Sequence, residues 1–303
     1  MVISTLNTPK IEFKQSWGQL YGCSLPLALA EYCQQKSGIK LLVAPDNLTA
    51  NQLLVELEFF LGKGEDSQEL LLFPDWETLP YDQFSPHQDI ISERLSTLSR
   101  LQQSSKAIVI SSVSTLMHRL CPPQFLHHHA LMLKEGQTLN LDQFRHQLQQ
   151  AGYHSVNKVL EHGEFAIRGA IFDIYPMGST LPFRIELFDE VIDSLRQFDT
   201  ETQRTVAKIS EIHVLPAREF PLNEQSITLF RRAFREQFSG NPSQCPVYEA
   251  VSDRQFPSGI EYYLPLFFEQ TATFFDYLPK DASVCLIETV QEQAELFWQE
   301  LTT

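Results

Sequence analysis

Basic residues, paired cysteines and long apolar runs are all scarce in this sequence, and each scarcity removes a class of function. Only 23 lysines and arginines stand against 38 aspartates and glutamates in 303 residues, a net charge of −15. Such a chain repels a phosphate backbone unless a basic patch is segregated, and no basic run is present, so direct nucleic-acid binding is disfavoured. The five cysteines, Cys23, Cys33, Cys121, Cys245 and Cys285, include no CxxC pair and are odd in number. They fit neither a disulfide framework nor a zinc site, and reduced, buried thiols are expected. No window reaches the roughly 18 apolar residues of a membrane helix. The start, MVISTLNTPKIEF, has no basic segment followed by an apolar core, so a cytoplasmic protein is expected.

A glycine-rich phosphate loop is missing as well. Where a nucleotide-binding α/β domain would carry GxxxxGK[ST], this chain reads Tyr21-Gly22-Cys23-Ser24-Leu25-Pro26-Leu27, with no lysine and with a proline where backbone amides are wanted. Gly62-Lys63-Gly64 follows a helical pattern with no strand before it and reads as loop punctuation. No GxSxG nucleophile motif is present, and the plentiful carboxylates form no local acid and base pair. His127-His128-His129 invites a metal reading. Neighbours in an extended segment point to opposite faces, so three in a row converge poorly on one ion, and a solvated connector is expected. No catalytic site, metal or cofactor follows from these residues.

What is present is ordinary globular composition, 43% hydrophobic and 20% charged, in a chain long enough for about two domains. Leu25, Leu29 and Tyr32 recur at helical spacing, IKLLVAPD follows as a buried-strand run, and Leu53, Leu54, Leu57 and Phe60 form a second helical stripe capped by Asn47 or Thr49. ELLLF, a helix over residues 90–102 and KAIVISS continue the alternation of strand and helix that marks a parallel α/β sheet. VSTLMHRL reads as a short helix closed off by Pro122 and Pro123. DWETLPYDQFSPHQD between these elements carries Trp76, Leu79, Tyr81 and Phe84. They either plug the edge of the sheet or form a contact surface to another domain.

From about His127 the pattern changes to a strand, an amphipathic helix with Leu141, Phe144 and Leu148, and then antiparallel hairpins to about Val214. After Pro216 helical spacing returns, with Ile227, Phe230, Phe234 and Phe238 on one face, followed by the apolar runs IEYYLPLFF and SVCLIET. In FRIELFDE, Phe183, Ile185 and Leu187 share one face, while Arg184, Glu186 and Phe188 share the other. Phe188 is an aromatic on a charged face. In FAIRGAIFDIYP, Arg168 stands among Phe165, Ile167 and Ile171, and Gly169 beside it suggests a bulge or a close backbone approach. Two arginines and an aromatic on neighbouring strands have the composition of an interface anchor. The competing reading pairs both arginines with nearby carboxylates and covers Phe188 with a helix.

The stretches LFPDWETLPYDQFSPHQDIISERLSTL and EHGEFAIRGAIFDIYPMGSTLPFRIELFDEVIDSLRQFDTETQRT closely resemble the N-terminal region of the bacterial transcription-repair coupling factors (Mfd), a likeness that spans nearly the whole chain. The same region resembles domains of the excision-repair subunit UvrB, through RGxxxDIxP and RIExFxDEI patterns. The resemblance implies a UvrB-like α/β fold: a degenerate P-loop-type parallel-sheet domain in two segments with an inserted small α+β domain. The expected divisions are residues 1–126, 127–215 and 216–303, the middle one binding UvrA. Carried onto matching positions, the UvrA contacts would be Arg168, Arg184 and Phe188. UvrB has a working phosphate loop where Tyr21 to Leu27 has lost it, so the resemblance implies a scaffold without ATP hydrolysis. Complete coupling factors continue into an RNA polymerase interaction domain and an ATP-dependent DNA translocase whose motifs are absent here, so this chain is expected to be an N-terminal fragment that meets polymerase and DNA only through other regions. The alternative is a fragment of an ATP-dependent helicase or translocase that uses the α/β domain as a motor half, which requires nucleotide binding by the chain itself.

Overall fold

A computed structural model describes residues 15–62, 68–79 and 83–302. Tyr81, Lys63 and Gly64 lie outside the described residues, as does most of the N-terminal stretch. Helix α1 (Ser24–Gln35) precedes strand β1 (Lys40–Ala44), and α2 (Asn47–Leu61) leads to β2 (Glu69–Leu72), α3 (Gln88–Gln103) and β3 (Ala107–Ser112). Short helices α4 (Val113–Leu116) and α5 (Pro123–His129) follow. The α2 cap is Asp46, whose carboxylate accepts the Thr49 amide at 2.7 Å, rather than Asn47 or Thr49. Pro122 and Pro123 do not simply end a helix: Pro123 is the first residue of α5, where its fixed φ and missing N–H are tolerated.

The middle of the chain contains β4 (Leu131–Lys134), α6 (Leu141–Gln150), β5 (His154–Ser155), β6 (Glu164–Arg168), β7 (Ile171–Ile174), β8 (Phe183–Phe188), β9 (Val191–Phe198), β10 (Thr205–Ile209) and β11 (Glu211–Val214). The last part holds α7 (Glu224–Gln237), α8 (Pro246–Ser252), a 3-10 stretch over Ile260–Phe267, β12 (Ser283–Leu286) and α9 (Val290–Thr302). Phe238 falls at the end of α7, partly exposed, so the buried stripe of that helix is Ile227, Phe230 and Phe234.

Four strands form a parallel sheet in the order β12-β1-β3-β2. Strand β1 is buried along its whole length because both faces are covered, as a central parallel strand requires. Leu42 and Ala44 pack with Leu29, Cys33, Leu53 and Leu57 of α1 and α2. Leu41 and Val43 pack with Ile91, Leu95 and Leu98 of α3 on the other side. The chain comes back to this sheet after some 170 residues, when Val284 and Cys285 take register beside Leu41 and Leu42.

A second sheet of six strands runs β10-β9-β8-β7-β6-β5, antiparallel except for the β5 and β6 pair. Its inner face meets Phe144 and Leu148 of α6, and β4 pairs with β11 where the chain enters and leaves this region. One apolar cluster is continuous from Leu41 and Leu95 of the parallel sheet to Phe172 and Ile185 of the antiparallel one, so the two sheets share a core. Gly178 sits at the junction with φ +80°, its amide donating to Ser92 Oγ at 2.8 Å. A Cβ there would stand 3.1 Å from Leu215 Cδ1 and 3.3 Å from Ser96, so a side chain would be both strained and crowded.

A buried ion pair fastens the same junction. Arg94 of α3, 0% exposed, donates to Glu219 at 2.6 Å and to the Pro74 carbonyl at 2.7 Å. Its guanidinium lies 4.2 Å from the Phe73 ring centroid and 4.8 Å from that of Trp76. Trp76 is therefore core, whereas Leu79 and Phe84 from the same loop are exposed and do not plug the sheet. His118 packs edge-on to Trp76. Burial, aided by the Arg94 charge, lowers its pKa from 6.5 to about 4.

Removing Glu219 leaves a buried guanidinium without its counter-ion, and Glu219→Ala is expected to lower unfolding stability by about 3 kcal/mol or more in urea titrations. The neutral His118 contributes stability that is complete above pH 6.5 and is lost as the pH falls through about 4. Denaturation midpoints measured between pH 7 and 4 should fall along that range, and less steeply in His118→Gln.

Candidate protein-docking surface

The six-stranded sheet places its aromatic and aliphatic residues inward by simple alternation. Phe183, Ile185 and Leu187 of β8 are buried while Arg184 and Glu186 are partly exposed and Phe188 is 74% exposed. No helix covers Phe188, and its exposed position on the charged face is the one the alternation in FRIELF predicts. The strand ends in a two-residue turn at Asp189-Glu190, in which Asp189 takes φ +55°, a left-handed conformation that aspartate tolerates. Gly169 is neither a bulge nor a close approach. It opens the turn between β6 and β7 at φ +63° with open space around it.

The two arginines converge on a residue that the sequence reading did not single out. Asp173 of β7 lies across from Arg184 of β8 and is 1% exposed. Arg184 donates its Nε to Asp173 Oδ1 at 2.7 Å and its Nη2 to Oδ2 at 2.9 Å, a bidentate pair. Arg168 Nη2 contacts the same Oδ2 from β6. The Asp173 hydrogen bonds raise the Arg184 pKa further above its usual range. The Arg184 guanidinium also lies over Phe198, 4.6 Å from the ring centroid, and donates to the carbonyl and the side-chain oxygen of Gln203, each at 3.4 Å. The signal that could have found Asp173 was a single acid inside the apolar run IFDI, one strand away from an arginine of matching parity.

The competing reading therefore holds for the arginines and fails for Phe188. Both arginines are paired to a carboxylate, yet Phe188 is uncovered. Arg184, with an 18% exposed side chain, is committed to Asp173, whereas Arg168, 50% exposed, keeps donors beyond its contact with Asp173. Next along the face, Glu186 accepts from Ser194 at 2.8 Å and from Arg196 at 3.1 Å. The surface can offer a partner an aromatic anchor and one adaptable cation on strands tied together through Asp173.

The other candidates carry less. His127, His128 and His129 end helix α5 rather than forming an extended connector, and the His129 ring packs against Phe125. No group of three or more His, Cys, Asp or Glu able to hold a metal exists among the described residues. All five cysteines are free; Cys33 and Cys121 are buried, with burial pushing their thiols up to about 11 and about 12, while Cys23 is exposed, contrary to expectation. Tyr21 to Leu27 turns directly into α1, with Pro26 in its first turn and Ser24 Oγ donating to the Tyr21 carbonyl at 2.7 Å. No helix among the described residues is long and apolar enough to cross a membrane.

Comparison with known proteins connects this sheet to a defined class: residues 131–220 match the family described as the UvrB interaction domain. The whole chain is similar to transcription-repair-coupling factors. It is 47% identical to that of Haemophilus influenzae over 301 residues, covering 96% of this chain and 26% of the relative. Identity to the factor of Escherichia coli is 44% over 92% of the chain and 24% of that protein, and to that of Rickettsia prowazekii 32% over 82% and 22%. The chain thus spans about a quarter of the length of the curated relatives it matches, and the resemblance to the N-terminal UvrB-homology region of these factors is borne out.

Arg184→Ala withdraws two hydrogen bonds from a buried carboxylate and should cost about 2 kcal/mol of stability. Phe188→Ala should stay within about 0.5 kcal/mol of the parent in the same urea titration, because its ring packs on little.

Proposed function

We propose that this chain is a non-catalytic N-terminal module of a transcription-repair coupling factor that imitates UvrB and binds UvrA, recruiting nucleotide excision repair to a stalled RNA polymerase. The observation that carries this reading is Phe188, a large aromatic 74% exposed at the end of a rigid strand, beside the half-exposed Arg168, within the segment that matches the UvrB interaction domain. The resemblance also makes Arg184 a UvrA contact, and its grip on Asp173 gives it a second role. It holds the face on which the other two are presented.

The domain plan that goes with this reading is a degenerate parallel-sheet domain in two segments, residues 1–126 and 216–303, around an inserted interaction domain, 127–215. The parallel pairing of β12 with β1 supports it. The absence of lysine and the presence of Pro26 between Tyr21 and Leu27 support a scaffold that needs no nucleotide. Contacts with polymerase and DNA would fall to other regions of the longer protein.

Affinity for UvrA measured by titration calorimetry is the direct test. Phe188→Ala should weaken binding about tenfold or more, as truncation of an interface anchor does, with stability unchanged. Equal affinity of the folded variant and the parent would remove Phe188 from the site. Arg184→Ala is a poorer probe, since its loss of stability would confound the reading.

A further inference from the structure

The hairpin that carries Phe188 holds a second exposed apolar side chain. Val191 of β9 lies directly across from Phe188, and cross-strand partners project to the same side of a sheet. It is 40% exposed, and beyond it an antiparallel bridge joins it to Thr138, so the three residues form a row across the end of the outer face.

Val191 reaches that face only because β9 carries an extra residue. Glu186 pairs with Ser194 while Leu187 pairs with Ile192, which leaves Asp193 without a partner. Counting by two from Ser194 on the outer face would put Ile192 outside and Val191 in the core. The inserted residue reverses that parity, so Ile192 is 1% exposed and Val191 is turned outward beside Phe188. The strand is held on its far side as well. Leu139 N donates to the Glu190 carbonyl at 2.6 Å, Ile192 N to that of Gln137 at 2.9 Å, and Gly136 N to that of Ile192 at 2.8 Å. Two apolar groups on a backbone braced from both sides have little conformational freedom left to lose on binding.

Arg168 occupies the same face at the same end of the sheet. It is opposite Ile171, which is in turn opposite Glu186, one step along β8 from Phe188. Its Nη2 is engaged with Asp173, and its remaining donors suit a carboxylate from outside.

We propose that Phe188 and Val191 form a two-residue apolar knob that fits a recess in UvrA, with an acidic group of UvrA at the rim facing Arg168. The proposal rests on the UvrA reading above. Val191 is then a specificity-determining residue: its methyls define the second wall of the knob, and the bulge at Asp193 is the device that aims them.

UvrA affinity of Val191→Thr, Val191→Glu and Phe188→Ala, each checked for unchanged urea denaturation, separates the possibilities. Threonine keeps the β-branched shape and strand preference while replacing a methyl by a hydroxyl, and should weaken binding about threefold. Glutamate puts a charge into the recess and should weaken it about tenfold or more. Full affinity in either Val191 variant while Phe188→Ala binds weakly would leave Phe188 as the sole anchor and overturn the knob. Full affinity in all three would overturn the UvrA reading itself, and the knob with it.

Discussion

A guanidinium cannot be left in a protein core without a counter-charge, and Arg94 is fully buried. Its partner Glu219 comes from the segment that follows β11, 125 residues further along the chain. The pair, with the Pro74 carbonyl and the rings of Phe73 and Trp76 around it, therefore fixes where the antiparallel sheet stands against α3. The shared apolar cluster and the close approach at Gly178 follow from that placement. The inner face of the six-stranded sheet is consumed by the core, part of its outer face is covered around Ala166 and Phe198, and the end that carries Phe188 and Val191 is what stays exposed.

The same electrostatic constraint recurs on that outer face. Asp173 is as buried as a core aliphatic side chain, and it is tolerated because Arg184 clasps it with two hydrogen bonds and Arg168 adds a third contact. Arg184 neutralises Asp173, Arg168 leaves the cluster with one positive charge, and the contacts tie three adjacent strands together. Strands tied together in this way let an exposed aromatic act as an anchor without the sheet rearranging around it. It also divides the labour between two arginines that look equivalent in sequence: one supports, the other can reach out.

A resemblance to UvrB would be idle if the segment that matches the UvrB interaction domain had its aromatic residue covered. Instead the matching segment is the one whose outer face carries Phe188 and Val191 uncovered at one end. The parallel sheet is arranged differently: its central strand β1 is covered on both faces by helices, and the exposed apolar side chains Val284 and Leu286 stand on its edge strand β12.

Periodicity by itself determined a good deal here. Alternation in FRIELF put Phe188 on the charged face, because strand side chains alternate whatever the strand is packed against. Continuous apolar runs marked the strands of the parallel sheet, and only their order in the sheet made β1 and β3 central and β2 an edge. What only the tertiary structure decided depends on register and on distant partners. That Arg168 and Arg184 meet on Asp173 requires three strands to pair in one particular alignment. Pro123 could end one helix or begin the next, and it begins α5. Trp76 is core and Phe84 exposed because Arg94 and Glu219, far away in sequence, surround only the first. The spacing of Ile192 and Leu195, three apart where alternation wants two, did hold the trace of a bulge. Its consequence for Val191 appears only when β8 is laid beside it, since a bulge is a relation between two strands and not a property of one.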